Sequence, residues 1–234
     1  MVSVYATEGM DLGRLRAGTW EQDAEGRYVV DADGTPKITS KFTDIGGNTP
    51  DYIWGFHNTF RYKNLSLDAQ IDGKIGGTMI SFTDAYGAYY GVSAITLEHR
   101  EDTFVLEGTV KADGTPNTTP ITGEQFWKKV EQARQGACGF FAYDASFARL
   151  RNLALSYDFN FGRDSFVKMA KVSLTGHNLL MLYRGKNLIK IPGISDRKMP
   201  FDPEAAASVA AFQGVESGIG PSTRSVGVSV NLTF

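Results

Sequence analysis

The sequence contains one cysteine, Cys138, so an internal disulfide is impossible and the redox compartment is left open. No run approaches the roughly 20 apolar residues that a membrane-spanning helix requires, and a mean hydropathy of -0.22 agrees. Neither sign of charge dominates. The 24 Lys and Arg against 26 Asp and Glu leave a net charge of -2, without the clustered basic surface that nucleic acid demands, which excludes nucleic acid as a partner. The first ten residues show no basic start, apolar stretch or small-residue cleavage site, so no secretory signal is visible. What is abundant is apolar and flexible material: 42% hydrophobic, 12% aromatic and 26 glycines in 234 residues. That composition excludes a disordered or collagen-like chain and suffices for a core without a metal or disulfide staple.

Alternation of period two is the dominant pattern. At the carboxyl end Val226, Val228, Val230, Leu232 and Phe234 alternate with Ser225, Gly227, Ser229, Asn231 and Thr233. From Asn152 to Phe161, Leu153, Leu155, Tyr157, Phe159 and Phe161 oppose a polar set that includes Ser156 and Asp158. Leu65, Leu67, Ala69, Ile71 and Ile75 oppose Ser66, Asp68, Gln70, Asp72 and Lys74. Just before them Tyr52, Trp54, Phe56, Phe60 and Tyr62 share a face, interrupted by Asn58. A more diluted strand is expected around Ala170, Val172 and Leu174, and extended segments at Leu12 to Trp20 and Arg27 to Val30 flank a turn at Gln22 to Gly26.

Connections alternate between short and long. Lys63-Asn64 and Gly162 to Ser165 read as tight hairpins, whereas about seventy residues separate Ile75 from Ser146 and about forty separate Leu182 from Arg224, far beyond the usual few. A bacterial outer-membrane barrel segregates short periplasmic turns from long outer loops in this way, on strands apolar toward lipid and polar toward the lumen. By parity the last strand would then run inward and Phe234 would end in the periplasm. Within the long connections, Thr122 and Gln125 have capping-box spacing, followed by Phe126, Val130 and Ala133 at helical spacing through Arg134, which predicts a short loop helix. Asp31 to Pro36 and Lys111 to Pro116 repeat one turn sequence and read as hairpin tips.

Several pieces, in order, resemble the SusC/RagA-type TonB-dependent outer-membrane transporters. They are the run Gly47-Asn48-Thr49-Pro50-Asp51-Tyr52 continuing through Gly55-Phe56-His57-Asn58-Thr59-Phe60-Arg61-Tyr62-Lys63-Asn64, the segment Asp72-Gly73-Lys74-Ile75-Gly76-Gly77, and Tyr90-Gly91-Val92-Ser93. Tyr143 to Leu153, Gly176-His177-Asn178-Leu179, Phe201-Asp202-Pro203-Glu204 and Pro221 to Ser225 complete the series. The resemblance implies an all-β fold in which residues 1–234 form the carboxyl-terminal segment of a transmembrane β-barrel. In that family a signal peptide, a TonB box and a plug domain precede such a segment; none of them is found here, and five firm strands are too few to close the barrel. A fragment, a split gene product or a reading frame opened at an internal methionine is therefore expected. The implied activity is import of oligosaccharides or peptides across the outer membrane, with a SusD-like surface lipoprotein as lid. The TonB complex would be contacted through the missing amino-terminal part, and outer-membrane lipid would surround the wall.

No enzyme, cofactor or metal site is expected. His57, His99 and His177 lack zinc spacing, and Asp31-x-Asp33-Gly34 has Phe42 where a calcium loop requires glutamate. Nucleophile elbows and phosphate loops are absent from the sequence. Asp72 and Asp158 read as solvated lumen residues rather than a catalytic pair. The Tyr52-to-Tyr62 aromatics read as a girdle or lipid contact rather than a sugar platform. Tyr86, Tyr89, Tyr90, Phe126 and Trp127 are freer candidates for substrate or lid contact, with packing inside the loops an equal alternative. The competing readings are a soluble all-β ligand-binding module built as a sandwich and a small complete eight-stranded barrel.

Overall fold

The computed structural model describes the chain apart from residues 1, 7, 131–135, 163–164, 205–213 and 219. Two compact units emerge. One comprises residues 51–75, 146–184 and 221–234, the other residues 1–50, 76–145 and 185–220.

The first unit, the wall unit, is a single five-stranded antiparallel sheet in which sequence neighbours are spatial neighbours. Its strands are Tyr52–Tyr62, Leu65–Ile75, Phe147–Asn160, Met169–Arg184 and Ser225–Thr233. The first, second and fifth lie where alternation places them. The third begins upstream of the periodic stretch and the fourth continues past it to Arg184, because a bulge interrupts the period in both. The pairing shifts by one residue around Leu150–Asn152 against both neighbouring strands, which turns Arg149 to the polar face beside Asp72 although Leu153 and Leu155, of the same parity, face the other way. The Tyr62-to-Leu65 hairpin turns through Lys63 at a φ of 52°. It is tied to the third strand by bonds from Asp158 N to Asn64 O and from Asn64 Nδ2 to Asp158 O, at 2.9 and 2.6 Å. The connection beyond that strand, Phe161 to Lys168, is longer than the tight hairpin expected at Gly162 to Ser165, of which residues 163–164 lie outside the described residues.

Register decides what the alternation means, since a slip of one residue would turn a strand's apolar set over. Here the faces agree across all five strands. Phe60, Leu67, Leu155, Leu174 and Val228 form one cross-strand row, and Arg61, Ser66, Ser156, Ser173 and Ser229 form the next row on the opposite face. Ser156 and Ser173 are hydrogen-bonded at 2.8 Å. A sandwich would bury the apolar row under a second sheet; instead Leu155, Leu174 and Val228 are 44%, 52% and 71% exposed. The small closed barrel is not seen either: among the described residues the sheet has five strands and ends at Tyr52–Tyr62 on one side and Ser225–Thr233 on the other. One close approach within it needs glycine. A Cβ on Gly73 would lie 2.2 Å from the Phe147 carbonyl and 2.8 Å from the Trp54 ring, which covers Gly73 from the paired strand.

The second unit, the packed unit, is formed largely by the long connections. The predicted helix spans Gly123–Val130 (α2), and its cap is reciprocal: Gln125 N donates to Thr122 Oγ1 and Thr122 N to Gln125 Oε1. Its proposed continuation through Ala133 and Arg134 lies outside the described residues. A helix without apolar periodicity, Phe82–Tyr89 (α1), precedes it, capped by the Ser81 side chain on Asp84 N. The extended segments expected near the amino end contain short strands, Val29–Val30 and Arg14–Ala17, the latter pairing with Val2–Tyr5 and Thr43–Gly47. The repeated tips are structural twins. In each, an Asp carboxylate (Asp33, Asp113) accepts from the N–H and hydroxyl of the Thr two residues on, a glycine (Gly34, Gly114) turns at a φ of 82°, and the strands leading in pair in parallel at Val29–Val110.

What makes these connections more than loops is a core of their own. Trp20, Phe126, Phe140, Phe141, Tyr143 and Met199 are buried together. The Trp20 ring lies edge-on to Tyr28, Phe126 and Phe140 at 5.4, 5.8 and 4.8 Å, with its indole N–H donating to the Lys129 carbonyl. A second cluster joins Leu15, Ile80, Cys138, Ala142 and Val215.

Candidate functional site

The wall unit is two-faced. Its apolar face carries Tyr52, Trp54, Phe56, Phe60 and Tyr62 beside Leu65, Leu67, Ile71 and Ile75, all exposed or half-exposed. An aqueous surface of this extent, unbroken by charge, is unfavourable for a monomer in water.

The polar face is cross-linked rather than merely solvated. The Thr59 hydroxyl and the His57 ring meet the Asp68 carboxylate at 2.7 and 2.9 Å. Asn152 donates to Gln70 and lies against the His177 ring, so three strands are joined in one row. Arg151 grips Asp72 with two nitrogens, Nε at 3.0 Å and Nη2 at 2.5 Å, which corrects the reading of Asp72 as a freely solvated carboxylate. Asn178, at a φ of 52°, aims its side-chain oxygen at both Arg149 and Arg151. Asp158 stands opposite Lys171 in the ladder. A small recess of about 110 Å³ opens between Arg149, Asn178, Arg184 and Arg224. The bulge that gathers these arginines is a departure from period two, and so the alternation could not announce it.

In the packed unit, buried carboxylates serve the structure. Asp84 accepts from the Tyr143 phenol, with the Arg197 guanidinium 3.6 Å away. Burial, reinforced by the Asp84 charge, pushes the Tyr143 phenol well above its usual range. Glu216 is buried and accepts from the Ser81 and Thr83 hydroxyls, at 2.5 and 2.6 Å. At its surface, the Arg14 guanidinium grips Asp44 at 2.5 and 3.0 Å and holds that carboxyl down to about 2.

The histidines remain apart. His57 and His177 lie on the wall's polar face, while His99 stacks on Phe104 and lies 3.4 Å from Asp102. Among the described residues no group of three or more His, Cys, Asp and Glu side chains gathers as metal ligands do. Asp33 is engaged by Thr35. Of the aromatics weighed for contact, Phe126 and Trp127 are buried, Tyr86 and Tyr89 half-buried, and Tyr90 exposed.

No family model matches the chain. Over 226 residues, 92% of its length, it is 27% identical to TonB-dependent receptor P3 of Formosa agariphila, and over 239 residues 26% identical to TonB-dependent receptor P26 of the same organism. It spans about a fifth of those relatives, 19% and 22%. Its fold matches part of the RagAB peptide transporter with a TM-score of 0.59 at 20% identity, covering 100% of this chain and 25% of that one. The RagAB peptide importer in its open-open state matches with 0.54 at 19% identity, over 99% of this chain and 24% of that one. Sequence and fold thus both set the chain beside TonB-dependent transporters, as its SusC/RagA-like motifs implied.

Proposed function

We propose that the chain forms a carboxyl-terminal stretch of the barrel wall, with its outer loops, in a TonB-dependent importer of the bacterial outer membrane. The observation that carries this reading is the register: five antiparallel strands line up their periodic apolar positions on one face and the polar network on the other. A lipid-facing barrel wall has this arrangement, and a water-soluble sheet would cover its apolar side. The strands of nine to sixteen residues suffice to cross the hydrocarbon layer. The solute would be an oligosaccharide or a peptide, with a SusD-like lipoprotein as lid and TonB engaged elsewhere in the assembled transporter. The chain binds and guides solute and carries out no chemistry on it.

Site-directed labelling tests the wall. With Cys138→Ala as background, cysteines are placed singly at Val228, Ser229, Val230 and Asn231 in outer membranes. The even positions should be shielded from a water-soluble maleimide and reached by a lipid-soluble quencher, and the odd positions should behave in the opposite way. Uniform labelling along the strand would sink the reading. Uptake of labelled oligosaccharide or peptide by cells carrying the transporter, with and without this segment, tests the import.

A further inference from the structure

We propose that the packed unit carries a binding pocket for a small organic carboxylate borne on an apolar or ring-shaped body. The pocket lies between the carboxyl end of α1, the Ala94–Leu97 turn and the first turns of α2, with a volume of about 570 Å³, in the range of small-molecule sites. Its floor is formed by buried groups, among them Trp127, Thr96 and Ala88, and its rim by the exposed Tyr90, Arg100 and Lys128. The Trp127 ring is fixed by its indole N–H, which donates to the Glu98 carbonyl at 3.2 Å.

Arg100 sets the chemistry. Its Nη2 donates to the Gly91 carbonyl and the Thr96 hydroxyl, both at 2.5 Å, and its Nε reaches the Thr96 carbonyl at 3.4 Å. The guanidinium is thus held at the pocket edge before any ligand arrives, and little side-chain freedom remains to be lost on binding. Among the described residues Arg100 forms no ion pair and its Nη1 makes no hydrogen bond. Nearby carboxylates are engaged elsewhere: Glu124, which also lines the pocket, binds Lys128 at 2.5 Å, Glu98 accepts from Ser195 N, and Asp102 lies beside His99. Two cations and one anion line the pocket, and the surplus charge belongs to an oriented guanidinium whose Nη1 is left to donate to a carboxylate. The aromatic floor and Tyr90 offer apolar area for the body behind that carboxylate. A peptide's carboxyl end and a uronic acid residue both have this chemistry.

The test is calorimetric titration of the whole chain in detergent with two matched pairs: N-acetyl-leucyl-phenylalanine against its amide, and a galacturonate oligomer against its methyl ester. One acid should bind about tenfold or more tightly than its neutral counterpart, and the pair that discriminates identifies the source. Arg100→Gln should remove that advantage, bringing the acid and its neutral counterpart to equal affinity. Tyr90→Ala should weaken the acid and the neutral form alike. Both side chains are exposed, and the ligand pairs test the wild-type chain without any variant. Equal binding of acids and neutral forms, no binding of either acid, or an Arg100→Gln chain that still discriminates would each overturn the proposal. The pocket is argued from the packed unit alone, so these outcomes are separate from those of the strand-labelling experiment.

Discussion

The two units bury their apolar residues in opposite ways. In the packed unit Trp20, Phe126, Phe140 and Phe141 are turned inward and the surface is left to hairpin tips and charged pairs. In the wall unit the largest apolar side chains, from Tyr52 to Tyr62 and from Leu153 to Phe159, are turned outward, and the tightly packed centre of the sheet is a row of serines, Ser66, Ser156 and Ser173. Hydrophobic burial within the chain therefore stabilises one unit, whereas the other relies on its hydrogen-bond ladder and on an apolar environment supplied from outside. One polypeptide thus carries two solvent requirements.

The largest effect should come from the solvent itself. In detergent the chain should be dispersed, and on detergent removal the bare apolar face and the two open edges of the sheet should drive aggregation. Sedimentation velocity checks this, and a monodisperse monomer that unfolds cooperatively without detergent would break the contrast. Next in size, Phe140→Ala should destabilise the packed unit by about 3–5 kcal/mol, while Leu174→Ala, half-exposed on the wall, should cost less than about 1 kcal/mol in detergent. Denaturant titration with probes in each unit separates the two, and equal costs would mean that the wall is packed like a core.

The smallest effect is expected at the Arg14–Asp44 pair. Its folded-state carboxyl titrates near 2, below the usual 3.8, so its contribution is fully present above the ordinary carboxylate range and disappears as pH falls through about 2. Amide protection, measured against the intrinsic exchange rate, should therefore fall in the Arg14–Ala17 and Thr43–Gly47 strands between about pH 4 and 2, and Asp44→Asn should abolish that step. If the wall strands responded equally in the same interval, the effect would not belong to this pair.

Legibility in the sequence followed the same division. The wall strands are long enough for alternation to declare them, and Tyr52–Tyr62 and Leu65–Ile75 were readable to the residue. Most strands of the packed unit were not, because those such as Val29–Val30 and Val215–Glu216 span only two residues and cannot display a period. α1 left one local trace, Ser81 three residues before Asp84, but no amphipathic stripe to follow. Arg100 offered no pattern at all, since the groups that orient it, Gly91 and Thr96, are simply near in space.

By itself, then, the sequence determined the elements whose neighbours along the chain suffice to define them: alternating strands, the two-residue Lys63-Asn64 hairpin, the Thr122–Gln125 cap and the twin Asp-Gly-Thr-Pro tips. These depend on backbone geometry repeated over a few residues. Tertiary structure alone decided the Arg149–Arg151 bulge, the pairing of the twin tips in parallel, the core that turns long connections into a packed unit and the pocket beneath Arg100. Each of those depends on which distant segments meet, and the distance between them in space is not written in any local period.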